Sequence, residues 1–267
     1  MVNCIKWVGG KTKLSKSIIP LLNDYDIYIE PFLGSGAIGF NLLNDKNVDK
    51  IIILADKCWR LINFYYYVRN SIDELIQEIN KLPYDNITQE IYTYLRKEFN
   101  NSTGIKSASL FLWINLTCYN GMYRENSKGE YNVPYGKKQE INIKTKIESI
   151  LELNKLFKKY NQLYIVNCGY DELYQKYGEV ENILWYLDPP YYNSFNEYIS
   201  EKFDSKKFWD YTIKLKGKWI MSNSLDFKEL INDEKYKVMD LKISYNIRPH
   251  SKTDDSKCKE ILVISDN

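Results

Sequence analysis

Asp188, Pro189, Pro190 and Tyr191 stand in one run, directly after the apolar segment Ile183-Leu184-Trp185-Tyr186-Leu187. Prolines cannot donate to a strand ladder and each fixes its own φ, so a strand over 183–187 must stop there. The residues beyond it make a stiff loop with a carboxylate at its root and an aromatic ring at its tip. That pairing suits transfer to a weak nucleophile such as the exocyclic amino group of adenine, whose lone pair is delocalised into the ring. Asp188 and the Pro189 carbonyl, held by the rigid backbone through Pro190, supply two acceptors for the amino hydrogens. The face of Tyr191 offers a platform on which an extruded base can stack. Asp-Pro alone would mean only a strand terminator and a turn. Four residues in this order after an apolar strand favour chemistry.

A second group lies near the N-terminus. The short strand predicted over 27–30 runs into Pro31-Phe32-Leu33-Gly34-Ser35-Gly36-Ala37, and a helix is expected from about Ile38. Gly34 and Gly36 let backbone approach a ligand closely at a helix N-terminus. Gly-x-Gly is weak by itself, but a second apolar strand, 51–55, ends in Asp56, about 20 residues on. An acid there is placed to hold a pair of ribose hydroxyls. Gly9-Gly10-Lys11-Thr12 invites a phosphate-loop reading, yet Ile5 occupies the position where that loop needs its first glycine. A nucleotide triphosphatase is therefore disfavoured.

These groups need a scaffold. Strands are expected at 27–30, 51–55, 163–168, 183–187, 218–222, 236–241 and 260–264, with crossover helices near 171–177, 205–215 and 226–232. That rhythm implies an α/β, doubly wound, mostly parallel sheet, whose ligands sit at the carboxyl ends where strand order reverses. Residues 60–82, 87–99, 106–119 and 144–160 interrupt it with helical periodicity, so a helical insertion separates the second strand from the third. Between those helices, Tyr119 to Asn126 and Gly129 to Lys138 are polar, aromatic and glycine-punctuated, as expected of a surface loop or hairpin. Basic residues interleaved with tyrosine and asparagine suit phosphates and base edges.

Composition bounds the rest. The 267 residues are 44% hydrophobic and 27% charged, ordinary values for one large α/β domain or two smaller ones. A net charge of +2 does not by itself mark a nucleic-acid binder. Its distribution is uneven, with four lysines and no acid from Met1 to Asn23. Taken singly, such a run is a solvated face. The five cysteines form no Cys-x-x-Cys pair, which points to a reducing compartment and away from a zinc knuckle or disulfide framework. No signal-peptide apolar region or membrane-length apolar run is present. A cytoplasmic protein is expected.

In this order, the motifs Lys6-Trp7-Val8-Gly9-Gly10-Lys11, Glu30-Pro31-Phe32-Leu33-Gly34-Ser35-Gly36, Leu54-Ala55-Asp56, Tyr119-Asn120-Gly121-Met122-Tyr123-Arg124, Tyr131-Asn132-Val133-Pro134-Tyr135-Gly136 and Asp188-Pro189-Pro190-Tyr191 resemble those of the Dam-type adenine-N(6) DNA methyltransferases. The likeness covers essentially the whole chain, and Ser222-Asn223-Ser224 also fits. It implies a Rossmann-like methyltransferase sheet and S-adenosylmethionine as methyl donor. Trp7, Lys11, Glu30, Phe32, Gly34, Gly36, Asp56 and Asp188 would contact the donor or its edge. It further implies catalysis by Asp188, Pro189, Pro190 and Tyr191 on a flipped adenine, with no metal. Asn120, Tyr123, Arg124, Asn126, Asn132, Pro134, Lys137 and Arg248 would face the DNA. Residues 1–59 and 161–267 would form the catalytic domain, and 60–160 the target-recognition domain. The expected partner is double-stranded DNA, bound by a monomer at the nucleoid of a prokaryote or in a phage-infected cell. GATC is the target suggested, although Met122 stands where Dam proteins acting on GATC usually carry leucine.

Three rival readings compete with this one. Cytosine carbon-5 chemistry needs a nucleophilic cysteine, typically after proline, and none of the seven prolines precedes one. Cytosine-N(4) transfer uses chemistry close to that expected here. A DNA-binding relative without catalysis would have no need of the intact Asp188–Tyr191 loop.

Overall fold

The computed structural model describes residues 4–43, 48–192, 203–231, 235–242 and 259–265. Their strands form one sheet: β1 (Ile27–Glu30), β2 (Ile51–Asp56), β3 (Leu163–Asn167), β4 (Ile183–Leu187), β5 (Lys218–Ser224), β6 (Lys237–Lys242) and β7 (Lys259–Ile264). The order across it is β3-β2-β1-β4-β5-β7-β6. The pairings from β3 through β5 are parallel, while β7 is antiparallel to both β5 and β6. The direction of winding reverses between β1 and β4, where Ile29 lies opposite Trp185. The loops after Glu30 and Leu187 therefore leave the sheet side by side, as the doubly wound expectation requires.

Alternation along the strands builds two cores. Leu184 and Tyr186 of β4 join Tyr28, Ile52 and Leu54 on one face. Ile183, Trp185 and Leu187 join Ile29, Ile53 and Ala55 on the other. With both faces covered, each central strand reads as a continuous apolar run.

Nine α-helices are described: α1 (Ser15–Ile18), α2 (Gly39–Leu42), α3 (Trp59–Asn70), α4 (Ile72–Asn80), α5 (Gln89–Asn100), α6 (Gly104–Thr117), α7 (Ile143–Lys158), α8 (Tyr170–Tyr177) and α9 (Ser205–Thr212). Leu173 of α8 and Phe208 and Trp209 of α9 cover the second core. Helices α3 to α7 form the insertion, which shares the first core with the sheet. Helix α6 is its axis, buried from Ser107 to Thr117. Asn154 of α7 donates to the Val68 carbonyl of α3 at 2.7 Å, and Arg69 donates to the carbonyls of Tyr160 and Leu163, tying the insertion's end to its beginning.

Several predicted boundaries shift. The helix expected over 60–82 breaks at Ser71, whose φ of −146° and ψ of 55° are not helical, and α4 restarts with Asp73 and Glu74 in its first turn. Helix α6 stops at Thr117 rather than at Gly121, and Tyr119–Gly121 forms a 3-10 turn with Asn120 at φ +53°. The N-terminal periodicity through Leu14, Ile18 and Leu21 becomes α1 flanked by two 3-10 turns, the second carrying Pro20. Residues 225–230 are also 3-10. None of the described helices is long and apolar enough to cross a membrane.

Candidate active site

The glycine loop after β1 is fixed by main chain and by two side chains. The Leu33 amide donates to Ala55 O, and Gly36 N donates to Leu33 O at 2.8 Å. Gly34 offers both its polar groups: its amide donates to Asp56 Oδ2 at 2.9 Å, and its carbonyl accepts from the Tyr65 hydroxyl at 3.0 Å. The other Asp56 oxygen accepts the Cys58 amide at 2.9 Å. Burial pushes the Asp56 carboxyl up to about 6, against the pull of those two amides. Beneath the loop, Glu30 is 1% exposed and accepts the Tyr28 hydroxyl at 2.8 Å. Burial raises the Glu30 carboxyl well above the usual range.

The second loop leaves β4 beside it. Asp188 Oδ1 pairs with Lys11 Nζ at 2.7 Å and accepts the Ser222 hydroxyl at 2.8 Å. Ser222 is fully buried on β5, and its Oγ lies 2.9 Å from the Tyr186 hydroxyl. A serine hydroxyl has one proton, so with Ser222 donating to Asp188, Tyr186 must donate to Ser222. Lys11, itself 4% exposed, also donates to Gly9 O at 3.0 Å and to the Tyr191 hydroxyl at 2.9 Å. Asn223 Oδ1 accepts the Tyr192 amide at 3.2 Å and so steadies the far end of the loop. Both partners of Asp188 sit on Oδ1. No bond to Oδ2 is made by a described residue.

The two loops enclose a cavity of about 530 Å³. Trp7, Lys11, Glu30, Phe32, Gly34, Asp56, Asp188, Pro189, Pro190 and Tyr191 all border it, bringing together nearly every residue singled out in the sequence for donor or catalysis. Gly36 is set back from it, with the Phe40 ring packed against its backbone. Phe32 stacks on Tyr170, with ring centroids 5.8 Å apart. Sequence reasoning missed the wall after β3, formed by Gly169, Tyr170 and Asp171, and the Phe203–Asp204 edge. The first was within reach, since a third parallel strand must also end at this side of the sheet.

Across the cavity lies a hairpin bridged at Glu125 and Tyr131. Arg124 is exposed on it, its Nε donating to Asn132 Oδ1 at 2.8 Å. Asn120, Pro134 and Lys137 are exposed as well. Asn126 is largely consumed by the turn: its Oδ1 accepts the amides of Lys128 and Glu130, and its Nδ2 donates to Glu130. Tyr123, expected to face the DNA, points into the cavity rather than out from the hairpin. It is 5% exposed, borders the cavity and stacks on Trp7 with centroids 5.6 Å apart, because alternation in the hairpin turns it inward. Arg248 lies outside the described residues.

Residues 7–247 match the family model of D12 class N6 adenine-specific DNA methyltransferases. The chain belongs to that family. It is 34% identical over 247 residues to the type II methyltransferase M.MjaIII of Methanocaldococcus jannaschii, spanning 82% of this chain and 83% of that protein. It is 40% identical over 135 residues to a DNA adenine methylase of Serratia marcescens, spanning 50% and 48%. With a DNA adenine methylase of Haemophilus influenzae the identity is 31% over 191 residues, 70% and 63%. The family reaction is methylation of adenine in DNA, which sets cytosine-N(4) transfer aside, and the family implies S-adenosylmethionine as donor. The site suits that molecule. A cavity of this size is typical for a small-molecule cofactor, Asp56 can accept hydroxyls on the lone pairs its amide partners leave, and Gly34 admits a close neighbour. A Cβ on Gly34 would sit 2.8 Å from the Trp7 ring and narrow the cradle.

Proposed function

We propose that Asp188 and the Pro189 carbonyl accept the two amino hydrogens of an adenine swung out of duplex DNA, while Tyr191 stacks on the base. The observation that carries this is the pinned Asp188 carboxylate. Lys11 and Ser222 fix its Oδ1, so its orientation needs no reorganisation when the base arrives. Asp56 would hold ribose hydroxyls of S-adenosylmethionine, with Trp7 and Phe32 as apolar walls and Lys11 at the donor's edge. Bound there, the donor supplies an electrophilic methyl group. The protein draws amino hydrogens toward two acceptors, favours a pyramidal nitrogen and keeps water from the reacting atoms. The intact pinning also supports a working catalyst over an inactive DNA-binding relative.

Residues 60–160 would form the target-recognition part, and 1–59 with 161–267 the catalytic part, acting as a monomer on double-stranded DNA. Arg124, Asn132, Asn120 and Lys137 would face the duplex, Arg124 contacting guanine acceptors in the major groove. GATC is the first target to assay.

Replacement of Asp188 by alanine tests the central assignment. Methyl transfer should fall by about 10²–10³-fold, the loss seen when one preorganised partner is removed, with DNA binding retained. A near wild-type rate would reject Asp188. 2-Aminopurine placed at the target reports the stacking: equal fluorescence with Tyr191→Ala and wild type would reject Tyr191 as the platform.

A further inference from the structure

Arg60 is the second residue of α3, 4% exposed, and belongs to neither loop of the cavity. Its guanidinium reaches into the hairpin. Nη1 donates to Glu125 Oε1 at 2.9 Å and to the Gly129 carbonyl at 3.4 Å, touching the first strand and the turn at once. Its carbon centre lies 4.7 Å from the Trp59 ring centroid and 4.9 Å from that of Phe99. The same Glu125 oxygen accepts the Tyr123 hydroxyl, and Tyr123 stacks on Trp7 in the cavity wall. In a strand, neighbours point to opposite sides, so an inward Glu125 requires an outward Arg124. Stability does not account for the pair. Buried ion pairs often stabilise less than apolar residues of equal volume, and Arg60 Nε is buried without a partner among the described residues.

We propose that Arg60, through Glu125, is a positioning residue for sequence discrimination, clamping the hairpin so that Arg124 meets one base pair in one register. The proposal rests on the reading of this hairpin as the base-contacting element. Its place on α3 matters, because α3 starts at the Cys58 amide that holds Asp56. One helix end thus aligns the Asp56 carboxylate and the hairpin.

The test must separate positioning from folding. Arg60→Met alone strands the Glu125 charge and should lower the melting temperature. The triple variant Arg60→Met/Tyr123→Phe/Glu125→Leu replaces the whole polar cluster with apolar groups of similar size and should melt close to wild type. Its ratio of kcat/KM on the cognate site to that on sites altered at one base pair should nonetheless fall about tenfold or more, a loss within the range of one bidentate base contact. Adding Arg124→Ala to the triple variant should then change the ratio little, although Arg124→Ala alone reduces it. A triple variant that discriminates like wild type overturns the proposal. If Arg124→Ala in the wild-type background leaves discrimination intact, the base-contacting reading has failed, and the proposal falls with it.

Discussion

The glycine loop of the cavity and the hairpin of the insertion both turn on glycines with positive φ, and they are held by different means. Gly36 (φ +70°) is wedged against a buried ring, since a Cβ there would lie 2.2 Å from Phe40. Gly129 (φ +74°) has nothing within 4 Å of where its Cβ would be. The first loop is fixed by main-chain bonds, by Asp56 and Tyr65 on the polar groups of Gly34, and by packing. The second combines main-chain bonds, such as Asn132 N to Arg124 O, with side chains such as Asn126 and Asn100, whose amide group bonds both the amide and carbonyl of Tyr131. What separates them is packing: the cavity loop is wedged against a buried ring, and the turn of the hairpin stands clear of its neighbours.

Alanine at the two glycines is the strongest way to break that contrast. Gly36→Ala should destabilise the fold by about 2–5 kcal/mol, combining overpacking with left-handed strain. Gly129→Ala carries the strain alone, about 1–2 kcal/mol. Thermal melts of both would settle it, and equal losses would show the hairpin to be as tightly packed as the loop.

Asp56 comes next. Asp56→Ala should weaken donor binding by about 1.5–3 kcal/mol in calorimetry, the usual worth of a charge-assisted hydrogen bond. Its pH dependence has a definite sign. Donor affinity should fall as pH drops through about 6, because the protonated carboxyl loses acceptor capacity, and Asp56→Asn should flatten that profile. Stability moves oppositely. A carboxyl raised above its unfolded value favours the folded state as pH falls through this window, so acid loss of affinity is not unfolding.

Arg124→Ala sharpens the contrast from the other side. It should cost about 1–3 kcal/mol on cognate DNA only, measured as methylation of cognate against singly altered sites. A uniform loss would return Arg124 to the phosphates. Tyr191→Phe should have the smallest effect, under about 1 kcal/mol in kcat/KM, since the hydroxyl contacts Lys11 while the ring face would meet the base.

This division also explains what could be read from the chain. The sheet, the Asp188 loop and the Gly34–Asp56 pair were legible because strand periodicity, proline and glycine act locally. Lys11 pairing with Asp188 was not legible bottom-up: 177 positions separate them, and only the reversal between β1 and β4 closes the gap. Ser71 ended a helix whose apolar spacing continued past it, because periodicity reports the buried face and not the break. That Tyr123 is buried could not be read, because exposed and buried tyrosines are alike in sequence. Arg60 carried no signal at all. Its partner lies 65 residues on, on a hairpin whose inward face depends on register.

The whole insertion occupies the connection from β2 to β3, two strands that lie side by side, with Ile52 opposite Leu163 and Asp56 opposite Asn167. A crossover of this kind needs one helix, and here it carries five. Lengthening a connection whose ends are already neighbours costs little, because closure entropy grows only with the logarithm of length. What hangs between those strands is free to vary only where it does not pack on the rest, since Asn115 of α6 bonds the Lys6 main chain and Tyr123 stacks on Trp7. The connection therefore works as a tool mount: if the hairpin reads the DNA, a new target can be fitted by exchanging its exposed residues, such as Asn120 and Arg124, while strand order, Asp188 and the Tyr123 wall of the cavity stay where they are.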